Sequence, residues 1–590
     1  MKHLAPLLII VLLFASCSKK IEESYFVPKD AIGIMYVNLK SLSEKSKDLD
    51  FNQLSINSLI EDKAPKEVKR FVQELLSKDN LDKTFRKEYL LGFGTFKRLS
   101  GVGGLIIPIK DATSFEAFIK PMIDEIPNLE KETNVGKDQG FTIYANKEIA
   151  IGWNGKTALI IGANNYAAAE LKDLTTLNRE DCILATNYFD AFFDTKQDMG
   201  LHITSTPLGD AFDGLLNTFA GLDVNLENNN LSYYGSFEQD HIYTKTNLKL
   251  NDDFKSIIGY KKWMSTSYSK SMLKALPDNP LLFAKLSIDT EDFYDHILSL
   301  QDNKTLPLQV REELRKNIKK SNQETEKELG MDAKSFSKIF DGSLMFAMTE
   351  GKTVKDTIYD YNYFTDEETY EVVDKKTPNM YGTVALKDKN KFDQFFNIVK
   401  KKGAQIETLN SNYFKIDGST FMVITEDCIF FTNDQSKADE ISSNGKLANN
   451  LSDFKHKDKL SHSVYLYTKG NIAELGNDFT QSINNIYNPY SSYNRYGSNK
   501  SMDVITEKSS ELYNKYYGEN HYFIDTDGGE SFTYTKGNKN SLIQSILYGD
   551  EVAKMMSTLE DDDYEEEDEE DDEEDEDEIE ETVIESTESN

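Results

Sequence analysis

Residues 160–171 read IIGANNYAAAEL, and residues 430–441 read FFTNDQSKADEI. The two stretches align without gaps, and each runs from an apolar strand-like segment through a polar turn into a helix-like segment. Four further pairs of segments recur in the same order along the chain: 27–39 with 276–286, 110–118 with 387–395, 141–151 with 413–424, and 243–258 with 534–546. The shared order predicts that the chain contains two copies of one plan.

The recurring segments also predict the fold class of each copy. Their strands are short and joined by turns, which favours antiparallel or mixed sheets covered by helices on one face. In segments 110–118 and 387–395, the helix has two Phe residues three positions apart, so both lie on one face. The period is far above the about 20–50 residues of solenoid arrays. We therefore predict an α+β fold of two tandem duplicated domains, over residues 25–268 and 273–556.

Two polar segments accompany these domains. Residues 481–502 are rich in Asn, Ser and Tyr, which predicts a loop, although clustered Tyr can also form a binding surface. Residues 557–590 form an acidic C-terminal tail, with 22 acidic residues between Glu560 and Glu588 and no Lys or Arg after Lys554. A segment with so much like charge repels itself and is predicted to be disordered.

The charge of the whole chain is −34, but the tail supplies much of it. Outside the tail, 79 acidic residues face 67 basic residues, so the body is mildly acidic. Because an acidic protein repels phosphate, we expect no nucleic-acid partner.

The N-terminus has the layout of a secretory signal peptide. The positive start Lys2-His3 precedes a mostly apolar run over residues 4–15, and small residues follow. The apolar run is shorter than the roughly 20 residues that a membrane-spanning helix needs. Residues 1–16 are therefore predicted to be a signal peptide that is removed.

The residue after the predicted cleavage site is a cysteine. The stretch LFASC, residues 13–17, resembles the lipobox of bacterial lipoproteins, with Phe14 at the position where Leu is usual. In such proteins the cysteine thiol receives a diacylglycerol, and more than one acyl chain gives stable anchoring. We therefore predict lipid on Cys17, followed by a tether over residues 17–24.

Several of these features occur together in a known family. The lipobox, the segment Val27-Pro28-Lys29-Asp30-Ala31 leading into a strand, and the later Phe-bearing helices resemble the uncharacterised lipoproteins of Bacteroidota grouped under domain of unknown function 4836. The resemblance covers most of residues 25–556. It implies a cell-envelope location and a duplicated α+β body, and it implies no activity and no catalytic residues.

The residues after Cys17 bear on the destination of the lipoprotein. Ser18 rather than Asp follows the cysteine, which by analogy with enterobacterial sorting does not favour retention in the inner membrane. We expect a lipid-anchored protein of the outer membrane. The sequence leaves open whether it faces the periplasm or the cell surface.

Residue types that carry catalysis or bind metals are scattered. None of the seven histidines has a His-Glu-x-x-His spacing, and no Cys-x-x-Cys pair occurs. His202 and His462 are predicted to start matching strands in structural roles. The clusters at 92–94 and 101–104, rich in Gly, lack a phosphate-loop pattern and are predicted to be turns or bulges. Cys182 and Cys428 are predicted to be buried and inert. We predict no catalytic residue, no cofactor and no metal site.

One modification motif occurs in the second copy. Asp356-Thr357-Ile358 is similar to the acceptor motif of O-glycosylation in Bacteroidota. Its polar, Tyr-rich surroundings predict a loop, so Thr357 is a candidate glycosylation site.

Three functions are compatible with the sequence. The first is a lipid-anchored, non-catalytic binding or scaffold module for an envelope protein or glycan, favoured by a duplicated body without clustered catalytic residue types. The second is an envelope hydrolase that uses scattered carboxylates, which requires a pair about 5–5.5 or 6.5–9.5 Å apart. In the third, the acidic tail is a docking segment or binds divalent cations weakly.

Overall fold

The computed structural model describes the chain between Glu22 and Glu570 with several gaps. The described residues are 22–55, 82–97, 100–136, 140–186, 188–193, 196–212, 224–362, 367–403, 405–416, 418–470 and 499–570. They form an α+β fold built on one large antiparallel sheet, which confirms the α+β part of the prediction.

Ten strands come from the first half of the chain. They are β1 Gly33–Asn38, β2 Tyr89–Lys97, β3 Ser100–Pro108, β4 Glu130–Val135, β5 Phe141–Ala145, β6 Ile149–Trp153, β7 Thr157–Ala163, β8 Met199–Thr204, β9 Asn230–Phe237 and β10 His241–Lys249. Across the sheet they lie in the order β4-β5-β6-β7-β3-β2-β1-β8-β9-β10, and every neighbouring pair is antiparallel.

Ten more strands come from the second half. They are β11 Leu282–Ser287, β12 Phe340–Asn362, β13 Glu367–Leu386, β14 Ile406–Asn410, β15 Tyr413–Ile416, β16 Thr420–Ile424, β17 Cys428–Thr432, β18 Val464–Lys469, β19 Tyr517–Asp525 and β20 Gly528–Thr535. Their order is β14-β15-β16-β17-β13-β12-β11-β18-β19-β20, again antiparallel throughout. Strand for strand, these pairings repeat those of the first half. Strands β12 and β13 also extend into a long hairpin arm.

The two halves join through β10 and β20, whose side-by-side pairing makes the sheet continuous. Lys245 lies opposite Glu530, and its ammonium group is 3.3 Å from that carboxylate. Lys245 pairs with Tyr234 of β9, and Glu530 pairs with Phe523 of β19. Because β9 and β19 have the same place in the strand order, Lys245 and Glu530 are also equivalent positions of the two halves. The seam therefore has approximate two-fold symmetry. It gives each half a partner for a strand that would otherwise be an open edge.

Helices precede, connect and follow these strands. In the first half they are α1 Leu39–Lys45, α2 Ala112–Glu125, α3 Ala167–Leu174, α4 Phe189–Phe193, α5 Thr206–Phe212, α6 Asp252–Ile258 and α7 Tyr260–Trp263. In the second half they are α8 Lys270–Lys274, α9 Thr290–Leu300, α10 Leu308–Leu329, α11 Ala333–Ser337, α12 Lys389–Lys401, α13 Gln435–Asn444, α14 Asn499–Tyr516 and α15 Ser541–Glu570. None of the helices in the described part of the chain is both long and apolar enough to cross a membrane.

The helices cover both faces of the sheet, whereas the sequence predicts one covered face. In β7, Leu159 and Ile161 pack in the same cluster as Leu171 of α3. Ile160, between them, packs against the cluster of Phe115 on α2. Successive strand residues point to opposite faces, so the unbroken apolar run in β7 indicates a strand buried on both sides.

Regular structure extends into three of the segments that are predicted to lie outside the two domains or in a loop. Residues 22–24, placed in the tether, belong to the 3-10 helix Glu22–Phe26, where Glu23 and Ser24 are buried. The predicted loop at 481–502 overlaps α14 from residue 499, and its residues 481–498 lie outside the described residues. The predicted tail is helical as far as Glu570, and residues 571–590 lie outside the described residues.

Candidate functional site

Of the two predicted modification sites, only Thr357 lies among the described residues. Cys17 lies outside the described residues. Thr357 is not in a loop: it lies within β12 and pairs with Val372 of β13. The polar, Tyr-rich composition indicated a loop, but a strand that faces an exposed residue such as Val372 does not need alternating apolar residues. Cys182 and Cys428 are buried free thiols, as predicted.

The two predicted structural histidines are not equivalent positions. His202 lies inside β8, and His462 precedes β18, so the strand registers match His202 with Tyr467 instead. His202 is buried, its Nδ1 lies 2.8 Å from Ser232 Oγ, and its ring stacks on Tyr188. Burial lowers the pKa of His202 to about 4, so the ring is neutral at neutral pH. These contacts fit the structural role predicted for this residue.

A cavity of about 750 Å³ lies on one face of the first half, between α1, α2 and the sheet. Its wall is mainly apolar and is formed by Leu39, Leu42, Leu49, Phe51, Phe85, Leu90, Ile107, Phe115, Phe118, Ile119, Met122, Ile149 and Ile160. This size, with so few polar groups, is typical of a site for a small apolar ligand.

Local sequence places the walls of this cavity. The side chain of Asn38 accepts a hydrogen bond from Ser41 N at 3.1 Å and starts α1 directly after β1. The side chain of Asp111 accepts one from Ser114 N at 2.8 Å and starts α2 in the same way. Spacings of three and four residues along α2 then put Phe115 and its apolar neighbours on one side of the cavity.

A shallow groove continues from the cavity along the same face of the sheet, and Ile160 lines both. In the groove, Gly33, Gly94, Gly103 and Gly162 lie side by side on β1, β2, β3 and β7. A Cβ atom on any of them would meet no other atom within 4 Å. Gly94 and Gly103 belong to the clusters 92–94 and 101–104, which were predicted to be turns or bulges because glycine is a turn residue. They instead lie inside strands and leave part of the sheet bare.

The surroundings of the groove are apolar and exposed. Met35, Leu105, Leu201 and Ile203 lie on β1, β3 and β8 with their side chains open to solvent. Exposed apolar side chains that form one patch indicate a binding surface. In the second half the places of the first three glycines are taken by Leu282, Met348 and Met380.

Charged side chains stand at the mouth of the cavity. Lys47, Asp82, Arg86 and Lys87 contribute to its lining, and Lys87 Nζ lies 2.9 Å from Asp82. Arg86 also pairs with the buried carboxylate of Glu23. Burial raises the pKa of Glu23, and the Arg86 guanidinium opposes that shift. The pair holds the N-terminal segment of the described chain against the cavity wall.

The corresponding space in the second half is filled by aromatic rings. Phe336 lies 5.9 Å from Phe340 and 5.4 Å from Phe395, measured between ring centroids. Phe340 corresponds to Phe85 of the first half. Phe85 pairs with Ile109 shortly before α2, and Phe340 pairs with Leu386 shortly before α12. Since Phe340 corresponds to Phe85, Phe336 corresponds to Leu81, which lies outside the described residues.

Comparison with known proteins gives matches to solved structures only, and these have low similarity scores. No family model matches the chain, and no curated protein matches it. Six chains of solved structures do. Three of them are crystal forms III, IV and I of TP0453, with 13%, 12% and 15% sequence identity. The matches cover 41%, 40% and 40% of this chain and 87%, 83% and 80% of those chains, with TM-scores of 0.24, 0.24 and 0.23. TM-scores this low carry no argument about function.

Proposed function

We propose that this chain is a lipid-anchored protein of the bacterial outer membrane, attached through Cys17, and that its body is a non-catalytic binding module for an acyl chain. The observation that carries the proposal is the apolar cavity of the first half, which continues into the glycine groove. An acyl chain fits such a site because it is flexible, wholly apolar and needs no hydrogen-bond partner along its length.

The position of the cavity relative to the predicted anchor supports a lipid ligand. Glu23 pairs with Arg86 at the cavity wall and follows Cys17 by six positions. Six extended residues span at most about 20 Å. A lipid on Cys17 would therefore keep the cavity close to the membrane surface, where acyl chains are abundant.

The cationic side chains in the cavity lining are already paired. Arg86 contacts the carboxylates of Glu23 and Glu88, and Lys87 Nζ lies 2.9 Å from Asp82. The lining therefore does not select the charge of a headgroup, and the proposal rests on the apolar interior of the cavity.

We also propose that the two halves arose by duplication of one α+β domain and then diverged. The shared strand order and pairings support a common origin. The side chains of Asp111 and Asp388, which cap equivalent helices α2 and α12, support it further.

A matched pair of variants tests the acyl-chain site. The full chain with Cys17→Ser, which cannot be lipidated at that residue, is titrated with a fluorescent fatty acid. Met122→Trp enlarges a side chain of α2 in the cavity wall. Val399→Trp makes the same kind of change at the equivalent position of α12 in the second half. Overfilling a packed site typically costs about 1–3 kcal/mol, so Met122→Trp should weaken binding about tenfold or more.

The outcomes separate the possible sources of the acyl chain. Saturable binding by Cys17→Ser, weakened by Met122→Trp and unchanged by Val399→Trp, supports the site. If the lipidated wild type binds no probe while Cys17→Ser does, the protein's own acyl chain occupies the cavity. If Cys17→Ser shows no saturable binding, or both Trp variants behave alike, the proposed function is wrong.

A further inference from the structure

A cluster of three side chains lies in the second half, where β18 and β19 run side by side. Glu519 and His521 are two positions apart on β19, so their side chains point to the same face of the sheet. His456 immediately precedes the 3-10 helix Lys457–Ser461, which leads into β18. We call His456, Glu519 and His521 the histidine cluster.

The distances within the histidine cluster suit a small cation. His456 Nε2 lies 3.1 Å from Glu519 Oε2, and His521 Nε2 lies 4.0 Å from the same oxygen. One ligand atom from each of the three residues lies within 4.8 Å of the others. Zinc bonds of roughly 2.0–2.2 Å in tetrahedral geometry put ligand atoms about 3.3–3.5 Å apart. Small side-chain rotations would therefore bring all three atoms onto one ion.

His521 provides an independent indication of a ligand. Its side chain is 2% exposed, and among the described residues its buried Nε2 has no hydrogen-bond partner. Its other ring nitrogen, Nδ1, lies 2.9 Å from the hydroxyl oxygen of Tyr465. If Nδ1–H donates to that oxygen, the lone pair of Nε2 is directed at the cluster. Buried polar atoms are seldom left without a hydrogen-bond partner, so the unpaired Nε2 of His521 indicates that a ligand binds here.

The neighbouring side chains would orient the carboxylate ligand as well. Glu519 Oε1 accepts a hydrogen bond from the hydroxyl of Tyr467 at 3.3 Å and pairs with Lys455. The other oxygen, Oε2, is the one that faces both histidines. Such outer contacts fix the direction of metal ligands in proteins and are part of a working site.

We propose that His456, Glu519 and His521 bind a divalent transition-metal ion of the zinc class through His456 Nε2, His521 Nε2 and Glu519 Oε2. Two imidazoles and one carboxylate suit zinc, whereas calcium and magnesium prefer oxygen ligands. Three protein ligands leave the fourth position of the ion for water or a ligand.

The first half has other residue types at the positions that correspond to Glu519 and His521. Asn230 and Ser232 of β9 occupy the places of Glu519 and His521. Neither of those residue types is a usual zinc ligand. The metal site would therefore be a feature of the second half, whereas the cavity lies in the first half.

Metal titration of the full chain tests the proposal. The protein is stripped with a chelator and titrated with Co²⁺, whose visible bands report four-coordinate geometry, and then with competing Zn²⁺. His456→Gln and His521→Gln each remove a ligand. His462→Gln is the matched control, since His462 also faces a carboxylate, with Nδ1 2.7 Å from Asp525, but lies outside the cluster. Tyr465→Phe removes only the partner of His521.

We expect one tight equivalent of Co²⁺ with four-coordinate bands, displaced by Zn²⁺. Removal of an outer partner typically costs roughly 10- to 100-fold in affinity, so Tyr465→Phe should lose about tenfold and either ligand variant about 100-fold or more. Binding by His462→Gln should be unchanged. Because His521 is buried, circular dichroism checks the folding of His521→Gln, and the more accessible His456→Gln carries the test if that variant unfolds.

Two results would overturn the metal site. One is weak binding of several ions without the four-coordinate bands, as expected for the acidic tail alone. The other is equal affinity in His456→Gln and His462→Gln. Either result leaves the acyl-chain proposal untouched, because the cavity and the histidine cluster share no residue.

Discussion

Lys285 carries an ammonium group that is buried in the second half of the chain. It is 1% exposed, its Nζ donates to the backbone oxygen of His462 at 2.5 Å, and it lies over the ring of Tyr268. Burial lowers the pKa of Lys285 to about 8, from an ordinary value of 10.5. Tyr36 occupies the same place in the first half.

The lowered pKa of Lys285 makes stability depend on pH. Between pH 8 and 10.5 the unfolded chain holds a proton that the folded chain has released, so raising the pH favours folding. We expect the free energy of unfolding to gain about 1.5 kcal/mol from this group between pH 8 and 9.5. Urea unfolding at several pH values measures the gain.

Two substitutions isolate the contribution of Lys285. In Lys285→Met the gain between pH 8 and 9.5 should be absent, because the titrating group is gone. Lys274→Met, at an exposed position of α8, should follow the wild-type profile. A wild-type pH profile that is retained in Lys285→Met would show that another group causes it.

Substitution by alanine should have opposite effects on stability at Gly94 and Gly104, which lie on neighbouring strands. A Cβ at Gly94 would meet no atom within 4 Å, whereas one at Gly104 would lie 2.2 Å from the Phe93 ring. Gly94→Ala should stabilise the protein by roughly 0.4–1 kcal/mol, because it restricts the unfolded chain without a clash. Gly104→Ala should destabilise it by roughly 1–3 kcal/mol through overpacking.

Chemical denaturation of both variants decides between two explanations of the glycine row. If Gly94→Ala is stabilising, folding does not require glycine there, and an approaching ligand or partner is a reason for it. If Gly94→Ala destabilises the protein as much as Gly104→Ala, the groove is not open in solution.

At the scale of elements, helices with local signals could be predicted from the sequence. α2 and α12 begin where Asp111 and Asp388 cap them, and Phe115 and Phe392 are buried as their spacing indicates. Capping and helical periodicity depend on residues within a few positions of each other. Such signals need no knowledge of the rest of the chain.

Register between strands was less predictable. The gapless alignment puts Ile160 beside Phe430, but the pairings of β7 with β3 and of β17 with β13 match Ile160 to Phe431. The following turn also differs in length, with three residues between β7 and α3 and two residues between β17 and α13. Since a shift of one residue exchanges the faces of a strand, sequence similarity alone could not show which side chains lie in the core.

The two candidate sites depend on contacts between distant segments. His456 and Glu519 are 63 positions apart, so no short spacing motif joins them, although the Glu-x-His pattern at 519–521 does place two ligand types on one strand face. The cavity depends on how α1 and α2 lie over β2, β3 and β7, which composition does not reveal. The sequence predicts no metal site, whereas the histidine cluster favours one, and the titration with Co²⁺ decides between these alternatives.

The seam between β10 and β20 joins two halves that have the same order of strands. Thr244 and Ser531 lie opposite each other there, with their hydroxyl oxygens 2.7 Å apart. Because the sheet continues through the seam, we expect the two halves to unfold together in one calorimetric transition. A weakened seam should let each half unfold at its own temperature.

Proline substitution tests this coupling. Thr244→Pro removes a ladder hydrogen bond in β10 and should cost about 1 kcal/mol or more at the seam. Differential scanning calorimetry should then show two transitions instead of one. Thr353→Pro, within the hairpin arm of β12, is the control and should leave a single transition. Two transitions already in the wild type would mean that the seam does not couple the halves.

We propose above all that an acyl chain occupies the cavity between α1 and α2. Photo-crosslinking measures the location directly: a fatty acid with a diazirine near its methyl end is irradiated with the full Cys17→Ser chain, and the modified peptides are identified by mass spectrometry. We predict that adducts concentrate on residues such as Leu42, Phe118 and Met122, which line the cavity. Adducts spread over the surface, or concentrated in the second half, would contradict the claim.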